Sequence, residues 1–577
     1  MVSTARAFAR DLWALARPYW FSEERHAARF LLAVVIGLNL GIVYINVELN
    51  RWQNAFFNTL QNKDQAEFLH QLLKFSGLAA AYIFTAVYAF YLRQQLQIRW
   101  RRWLTERYLD QWLHGRTYYR LQLTDRGTDN PDQRIAEDLR LFAELTLTYT
   151  LDLMSTIVTL VSFVAILWGL SGTLSFMIGD TALSVPGYLV WAALLYAVAG
   201  TWLTHRIGKP LIRLHYDQQR FEADLRYSLV RFRENAEGVA LYRGEGEEKR
   251  NFVGRFGEVM ANWWQLMQRR KKLSGFTYGY GQAAVIFPYI VVAPRFFSGA
   301  IPLGGFMQTA SAFNYVQSSL SWFVDVYARL AEWKATVERL IGFHNAIERT
   351  RAAARARPGI ERERATDSSG IVLDGLRLEL PDGRVLLDAA RERFSAGEAV
   401  LLMGPSGAGK STLFRAIAGI WPFGAGRIAV PDDARMMFLP QKPYLQVGTL
   451  RELINYPESR ALVRDTELIR TLAECGLAHL ARRLDEHQNW TLELSVGEQQ
   501  RIAFCRALLR RPEWLMLDEA TSALDPPAEA ALYRLLRDRL PGTALISIGH
   551  RPGLAAYHDR IVDLWAAEGM PLRAAAA

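Results

Sequence analysis

The chain has 577 residues, a formal net charge of +10, and a composition that is 50% hydrophobic and 12% aromatic. Because domains average roughly 150 residues, this length excludes a single core and predicts two to four folded units. Two cysteines, Cys475 and Cys505, exclude a disulfide framework and are typical of buried thiols in a reducing cytoplasm.

The positive charge is unevenly distributed. About the first 325 residues are apolar and the remainder polar, and the basic residues of the apolar part concentrate between apolar runs, in 93–140 and 206–272. Basic loops between apolar runs are typical of the cytoplasmic side of a membrane protein. The charge placement therefore favours a lipid bilayer as a partner and argues against nucleic acid.

The first 28 residues precede any apolar run. Phe8, Leu12, Trp13 and Tyr19 stand there among arginines, a pattern that predicts an amphipathic helix lying along the membrane interface. A disordered tail is the alternative.

Six apolar runs follow, each near the roughly 20 residues that a helix needs to cross a bilayer. They predict a transmembrane domain over 29–347, although prolines crowd the last two runs. The predicted spans lie near 29–48, 72–92, 147–170, 182–203, 277–297 and 301–324, with margins of several residues each.

The loops between these spans differ in charge. The loops after the second and fourth spans are long and arginine-rich, whereas Arg51 and Lys63 are the only basic residues in the other connections. Positive-inside counting therefore predicts that both termini lie in the cytoplasm.

Polar residues within spans are candidates for substrate contact or for hydrogen bonds between helices. They include Asn39, Asn46, Glu48, Asp152, Asn314, Gln317 and Asp325.

Residues 348–370 are charged, show no apolar periodicity and are predicted to be a linker to a folded domain at 371–565, with a tail at 566–577. In that domain the apolar strand 400–404 runs into GPSGAGKST and then an apolar helix. This is the P-loop pattern, in which backbone N–H groups surround phosphates, Lys410 adds a cation and Ser411 can ligate Mg²⁺. The predicted ATP-binding loop is Gly404, Pro405, Ser406, Gly407, Ala408, Gly409, Lys410, Ser411 and Thr412.

Three further segments specify the kind of P-loop ATPase. The strand before Asp518 and Glu519 predicts that Asp518 holds Mg²⁺ and that Glu519 polarises the attacking water. His550 ends another apolar strand and is placed to touch the γ-phosphate. Gln441, after the strand in FLPQKP, is predicted to sense the γ-phosphate and Mg²⁺.

In this order the motifs resemble the ATP-binding-cassette (ABC) family from Ile371 to about Trp565. The resemblance implies an exporter-type, all-α six-helix transmembrane domain joined to an α/β P-loop ATPase domain, and a homodimer in which the signature of one copy caps the ATP of the other. The signature residues implied to do so are Ser495, Gly497 and Glu498, and Asp525 is included among the ATP-site residues.

Two departures from the family pattern stand out. The signature reads LSVGE where LSGGQ is commoner, and LRLELPDGR (376–384) lacks the aromatic residue that usually stacks on adenine. How adenine is held is therefore left open.

PYWFSEE (18–24), WRRWLTERYLDQWL (100–113), DNPDQRIAEDL (129–139) and RENAEGVALYRGE (233–245) resemble SbmA/BacA-like transporters with a fused ATPase and, more distantly, peroxisomal fatty-acyl transporters. The resemblance implies ATP-driven movement of a bulky hydrophilic or amphipathic solute, such as a peptide or corrinoid, across a bacterial inner membrane. Turns near Asn130 and Gly244 would contact the ATPase domains as coupling helices. The alternatives are a fatty-acyl substrate or a soluble ABC ATPase, and the direction of transport stays open.

Overall fold

The structure, a computed structural model, describes residues 2–124, 131–178, 181–356, 359–365, 370–432, 434–458, 463–564 and 574–575. The chain divides into two compact units, Met1–Asp110 with Asn130–His344, and Gln111–Asp129 with Asn345–Ala577. The predicted turn near Asn130 and most of the predicted tail lie outside the described residues.

Long helices dominate the chain up to residue 356. Of the ten helices in the described part of this segment, four exceed 45 residues, or roughly 70 Å at 1.5 Å per residue, which is more than twice the thickness of a bilayer core. The helices are α1 (Val2–Trp20), α2 (Arg25–Asn62), α3 (Gln65–Leu113), α4 (Thr117–Thr124), α5 (Pro131–Gln133), α6 (Leu139–Ser171), α7 (Tyr188–Glu234), α8 (Ala236–Tyr242), α9 (Glu245–Phe297) and α10 (Leu303–Ala356). Short 3₁₀ and π turns precede α4 and α6, at His114–Arg116 and Arg134–Asp138.

Four helical stretches of the described residues are long and apolar enough to cross a membrane. They contain the first, second, third and fifth predicted spans and run over Arg25–Asn62, Gln65–Leu123, Pro131–Ser171 and Glu245–Phe297. The other two predicted spans fall on α7 and α10, and their crossing of the membrane stays a prediction.

The predicted start of the fourth span is wrong. Residues 182–186 are not helical, because β1 (Thr173–Ile178) and β2 (Thr181–Pro186) pair as an antiparallel hairpin. Proline disfavours helical backbone in the residue before it, and Gly187 follows with a φ of 66°. The helix therefore begins only at Tyr188.

Polar side chains join α2 to the start of α10. Asn50, Asn54 and Asn58 recur every four residues on one face of α2, and Asn50 Nδ2 donates to Gln308 O at 3.0 Å. Asn54 Nδ2 donates to Gln308 Oε1 at 2.6 Å, and Asn58 Oδ1 accepts from Gly304 N at 2.8 Å. These contacts hold the two helices together by side-chain hydrogen bonds.

The predicted linker is partly structured. α10 continues to Ala356 through RAAARA, since alanine and arginine favour helices. β3 (Glu361–Ala365) then pairs in parallel with β7 (Gly424–Pro431). The strand was not predicted because its residues alternate in charge and show no apolar pattern. Charged side chains are nevertheless common on edge strands.

The second unit contains two main sheets. The six-stranded sheet has the order β14-β13-β6-β12-β11-β8, and the four-stranded sheet has the order β3-β7-β4-β5. Their remaining strands are β4 (Gly370–Glu379), β5 (Val385–Ser395), β6 (Ala399–Met403), β8 (Met436–Leu439), β11 (Trp514–Asp518), β12 (Ala544–Ile548), β13 (Arg560–Asp563) and β14 (Ala574–Ala575), while β9 (Gly448–Thr449) and β10 (His487–Gln488) form a separate pair. The helices are α11 (Lys410–Ile417), α12 (Leu450–Asn455), α13 (Asp465–Glu474), α14 (Trp490–Glu493), α15 (Val496–Arg510) and α16 (Pro526–Arg539).

The central strands β6, β12, β11 and β8 are parallel. Apart from Met403, the first three residues of β8 and Asp518, their residues are buried, as the near-continuous apolar runs predicted. Their carboxyl ends meet at one sheet edge, where ligands bind in open α/β sheets. The segments that leave this edge begin at Gly404, Gly549, Glu519 and Pro440.

The segment after α3 belongs to the second unit rather than the first. Leu123 of α4 packs against the core of the ATPase sheet, and Arg116 Nη1 donates to Ala418 O at 2.9 Å. This segment precedes the turn predicted to couple the two domains.

Candidate functional site

The P-loop leaves β6 and enters α11. Gly404, Gly407 and Gly409 adopt φ values of 143°, 85° and 86°, which side chains with a Cβ rarely adopt. Lys410 Nζ donates to Gly404 O at 2.6 Å and Pro405 O at 2.8 Å. Burial lowers the pKa of Lys410, while Glu519 and Asp518 oppose that shift. A cation thus lies inside the loop, at the amino end of a helix.

Ser411 and Asp518 meet beside the P-loop. Ser411 Oγ donates to Asp518 Oδ1 at 2.8 Å. Burial raises the pKa of Asp518; the hydrogen bond from Ser411 lowers it and the neighbouring charge of Glu519 raises it. A carboxyl group with a raised pKa gains from a nearby cation, because the cation favours its ionised form.

Glu519 joins two other predicted residues. Gln441 Nε2 donates to Glu519 Oε2 at 3.0 Å, and His550 Nε2 lies 3.0 Å from Glu519 Oε1. An ionised carboxylate only accepts hydrogen bonds, so His550 carries its proton on Nε2 in this contact. The structure thus brings these three side chains together, and their catalytic roles stay a prediction.

The backbone of Glu519 is strained. Its φ is 49°, a left-handed conformation that costs on the order of 1 kcal/mol or more for a residue with a Cβ. Glu519 N donates to Ile548 O at 3.1 Å and Ser522 N donates to Glu519 O at 3.1 Å. These bonds hold the strained turn that directs the carboxylate out of the sheet edge.

The signature residues form the cap of α15. Glu498 N donates to Ser495 Oγ at 3.3 Å, and Ser495 N donates back to Glu498 Oε2 at 2.9 Å, which is a capping box. Burial raises the pKa of Glu498, but hydrogen bonds from Ser495 and His479 outweigh it and lower that pKa. Glutamate in place of the commoner glutamine therefore strengthens the cap.

The structure does not bring every predicted residue to the P-loop. Among the described contacts, Ser495 and Glu498 bond to each other, Glu498 Oε1 lies 3.0 Å from His479 Nε2, and Gly497 lies against Leu524. Asp525 caps α16, where its Oδ1 accepts from Ala528 N at 3.1 Å. Within one chain, these residues organise helix ends.

Sequence reasoning missed Gln500. This residue is 1% exposed, and its Nε2 donates to Gln441 O at 3.0 Å and Ser522 Oγ at 3.1 Å. Its Oε1 accepts from Ala523 N at 3.1 Å. Gln500 thus connects the signature helix to the loops of Gln441 and Glu519. Its position within LSVGEQQR was a signal that could have found it.

Arg551 was also missed. Its Nη1 donates to Leu524 O at 2.8 Å and its Nη2 to Ser522 O at 3.3 Å. The chain after Glu519 is therefore tied to the residue that follows His550.

The donor set fits Mg²⁺, which prefers oxygen ligands and usually binds through one or two carboxylates together with phosphates. Ser411 Oγ and Asp518 Oδ1 supply such oxygens beside the P-loop. No group of three or more His, Cys, Asp or Glu residues suited to holding a metal occurs in the described part of the chain, so a magnesium ion would depend on phosphate oxygens as well.

Three features at the edge of the parallel sheet define an ABC-type ATPase. They are the P-loop, the turn that carries Asp518 and Glu519, and the signature helix α15 capped by Ser495. The comparisons agree with this class. Residues 15–297 match the family described as ABC transporter transmembrane region 2, and residues 387–522 match the family described as ABC transporter.

Relatives extend over nearly the whole chain. The inner membrane ABC transporter ATP-binding protein YddA of Escherichia coli (strain K12) is 35% identical, over 97% of this chain and 98% of that protein. The chloroplastic ABC transporter D family member 2 of Arabidopsis thaliana is 34% identical over 98% and 87%. The human lysosomal cobalamin transporter ABCD4 is 26% identical over 95% and 92%.

A solved structure described as a bacterial Atm1-family ABC exporter with ATP bound shares the fold, with a TM-score of 0.72, 19% identity and 95% of each chain covered. The chain therefore belongs to the ABC transporter family. It is a half-transporter that fuses a transmembrane region to an ATPase domain and couples ATP hydrolysis to transport. The predicted fold class is confirmed.

Proposed function

We propose that the protein is a homodimeric transporter that moves a bulky hydrophilic or amphipathic solute, such as a peptide or a corrinoid, across a bacterial inner membrane. The single observation that carries the ATPase mechanism is the contact of Glu519 with both Gln441 and His550 at the sheet edge that bears the P-loop.

In this proposal the residues of the P-loop, 404–412, hold the phosphates of ATP. Ser411, Asp518 and Gln441 hold Mg²⁺, which when bound neutralises phosphate charge. Glu519 accepts a proton from the attacking water and orients it. His550 donates from Nε2, which suits contact with a γ-phosphate oxygen once nucleotide is present.

The homodimer is supported by the signature, which caps α15 but makes no described hydrogen bond to the P-loop of its own chain. We propose that Ser495, Gly497 and Glu498 of one copy, with Asp525, complete the ATP site of the other. Helix N-termini bind anions through free N–H groups and the helix dipole. The amino end of α15 is therefore suited to a phosphate of the second copy's nucleotide.

Two further features support pairing. Leu241 and Tyr242 of α8 are 77% and 89% exposed. The ATPase unit has a separate cavity of about 940 Å³ beside Gln441's loop, where Arg506 Nη2 and Asn455 Nδ2 have no hydrogen-bond partner. We propose that this cavity receives the coupling segment before Gly244 from the second copy, because exposed apolar side chains and buried free donors both gain from a partner.

A mixing experiment tests the shared site. Lys410→Ala removes the P-loop cation and Ser495→Arg blocks the signature, so neither homodimer should hydrolyse ATP. Co-expressed with different tags and purified as a mixed dimer, the two variants should regain hydrolysis, because one composite site then has a wild-type P-loop and a wild-type signature. If each chain completed its own site, the mixed dimer would be as inactive as its parents.

The substrate proposal is supported by the name of the cobalamin transporter among the relatives and by the SbmA/BacA resemblance. The resemblance to peroxisomal fatty-acyl transporters keeps fatty-acyl compounds as the alternative. ATPase activity of the protein in lipid nanodiscs, measured with peptides, cyanocobalamin and palmitoyl-CoA, separates them. Stimulation by palmitoyl-CoA alone would replace the proposed substrate by the alternative.

The proposed location is supported by the inner-membrane relative and by the basic loops after the second and fourth spans. Both termini and the ATPase domain would face the cytoplasm. Cysteine-directed labelling of intact spheroplasts checks this orientation, with Gln61→Cys at the outer end of α2 expected to react and Tyr242→Cys in α8 expected not to. The reverse pattern would invert the topology.

A further inference from the structure

The membrane unit contains a polar cavity of about 290 Å³. It is lined by Gln53 of α2, by Tyr289 of α9 and by five residues of α10. Gln53 and Met307 lie near the ends of α2 and α10 that positive-inside counting puts outside. The volume is at the lower end of the range of about 300–1,000 Å³ usual for ligand pockets, so it admits one arm of a bulky solute.

The cavity face of α10 is a continuous stripe. Its five lining residues are Met307, Ser311, Asn314, Tyr315 and Ser318, spaced at i, i+4, i+7, i+8 and i+11. This spacing puts them on one side of a helix. On other faces of the same helix, Ala310, Phe313 and Val316 are fully buried. Apart from Tyr315, whose ring stacks on Phe163 with centroids 4.1 Å apart, the stripe lies outside the buried apolar face that packs α10.

The lining is polar but uncharged. All seven residues are neutral, and six of them carry an amide or a hydroxyl group. The nearest charges along α2, Glu48 and Arg51, are paired with each other at 2.7 Å. A carboxylate or phosphate would lose its hydration here without gaining a counter-charge, which costs far more than the transfer of a neutral amide.

One lining group has an unused hydrogen-bonding atom. Gln53 Oε1 is buried and has no hydrogen-bond partner. By contrast, the Oδ1 atoms of Asn54 and Asn58 on the same helix both accept hydrogen bonds. A buried acceptor without a donor is costly, and in native structures such a group usually has a role. Asn50 Oδ1 on the same helix also has no partner, but of the two only Gln53 lines the cavity, where its oxygen is suited to accept a bond from a ligand.

We propose that this cavity binds an uncharged amide or hydroxyl group of the transported solute, with Gln53 Oε1 as acceptor and Asn314 as the adaptable donor and acceptor opposite. The proposal rests on the proposed transport function and narrows its substrate class to solutes rich in neutral amides. A peptide backbone and the amide-bearing periphery of a corrinoid share this chemistry. An acyl chain, which offers neither donor nor acceptor, does not.

Labelling of introduced cysteines tests the location. Cys475 and Cys505 are both buried, so the full chain in nanodiscs can carry Ser311→Cys or Ser318→Cys as its reactive thiol. Cyanocobalamin or an N-acetylated, C-amidated neutral tripeptide should slow modification by a small methanethiosulfonate reagent. The control is Ser76→Cys, since Ser76 is exposed on α3 and bonds to its own helix at Leu72 O. Equal rates with and without both probes would overturn the assignment.

Substitutions test the chemistry. Asn314→Leu and Gln53→Leu should each raise the probe concentration that gives half-maximal ATPase stimulation by about 2- to 12-fold, the range for one lost hydrogen bond. The matched control is Asn39→Leu, because Asn39 Nδ2 bonds to its own helix at Val35 O, 2.8 Å away. Asn39→Leu should leave both the half-maximal probe concentration and the basal ATPase activity unchanged.

The outcomes separate this inference from the proposed function. Protection and stimulation by only one amide probe would identify which source of the amide the protein transports. Unchanged half-maximal concentrations in Asn314→Leu and Gln53→Leu, with the wild type still stimulated by an amide probe, would refute the inference alone. No response of the wild type to either amide probe would refute the proposed substrate, on which the inference rests.

Discussion

Replacing Glu519 with glutamine tests the proposed chemistry most directly. The carboxylate accepts hydrogen bonds from Gln441 Nε2 and His550 Nε2, each at 3.0 Å. A glutamine side chain offers one oxygen and one NH₂ group, so one of the two donors would face another donor. The change also removes the group proposed to accept a proton from water, at nearly constant volume.

The lost contact with His550 and the lost proton acceptor differ in their expected free-energy cost. Glu519 and His550 side chains are 29% and 48% exposed, so solvent screens their contact and its loss costs no more than about 1 kcal/mol. Loss of a general base typically reduces rates about 10²- to 10⁴-fold, or about 2.7–5.5 kcal/mol in activation free energy. Turnover should therefore collapse while nucleotide binding stays nearly intact.

The assay combines ATP hydrolysis in nanodiscs with equilibrium binding of a fluorescent ATP analogue. In Glu519→Gln, kcat should fall at least 100-fold with a Kd within about threefold of wild type, and the dimer should stay closed in ATP. Glu519→Asp is the matched control, because aspartate keeps the negative charge but has a side chain one methylene shorter. Wild-type-like hydrolysis in Glu519→Gln would refute the assignment, and an equal loss of binding would make the role structural.

Three other outcomes are expected. Lys410→Ala should weaken binding of the ATP analogue at least tenfold, since a charge-assisted contact is lost; an unchanged Kd would contradict its role. Gln500→Leu removes three hydrogen bonds to partly buried groups and should destabilise the ATPase unit by about 1–3 kcal/mol, lowering both the apparent Tm and kcat, whereas wild-type values of both would show that these bonds are dispensable. Burial lowers the pKa of His558 below its ordinary 6.5, so its contribution to stability is present above pH 6.5 and is lost as the pH falls through the lower pKa of the folded state. The apparent Tm should accordingly drop on acidification, and less so in His558→Gln; parallel pH profiles would assign the drop to other groups.

Much of the ATPase site was predictable because its residues are consecutive in sequence with the strands that carry them. Each strand is a short apolar run, and the residues directly after a parallel strand must lie at its carboxyl edge. Lys410, Asp518, Glu519 and His550 were therefore identified together. Gln500 was not, because its role depends on three partners on other segments.

In the membrane unit, by contrast, the sequence alone did not predict every element. Composition predicted where apolar helices lie, but the strands Thr173–Ile178 and Thr181–Pro186 pair where the fourth span was predicted to begin. An apolar run of this length fits a strand as well as a helix, so composition alone did not separate the two. The predicted linker likewise contains β3, whose partner β7 begins 63 residues later.

The sequence by itself determined that the chain joins apolar helices to an ABC-type ATPase, because hydropathy and motif order are local properties of consecutive residues. Only the tertiary structure decided which polar side chains meet. Asn314 was one of seven polar candidates in the spans, and nothing in its neighbours along the chain distinguished it. Packing of α2 and α9 against α10 places it with Gln53 and Tyr289 at one cavity, because such a site is made by residues that are distant in sequence.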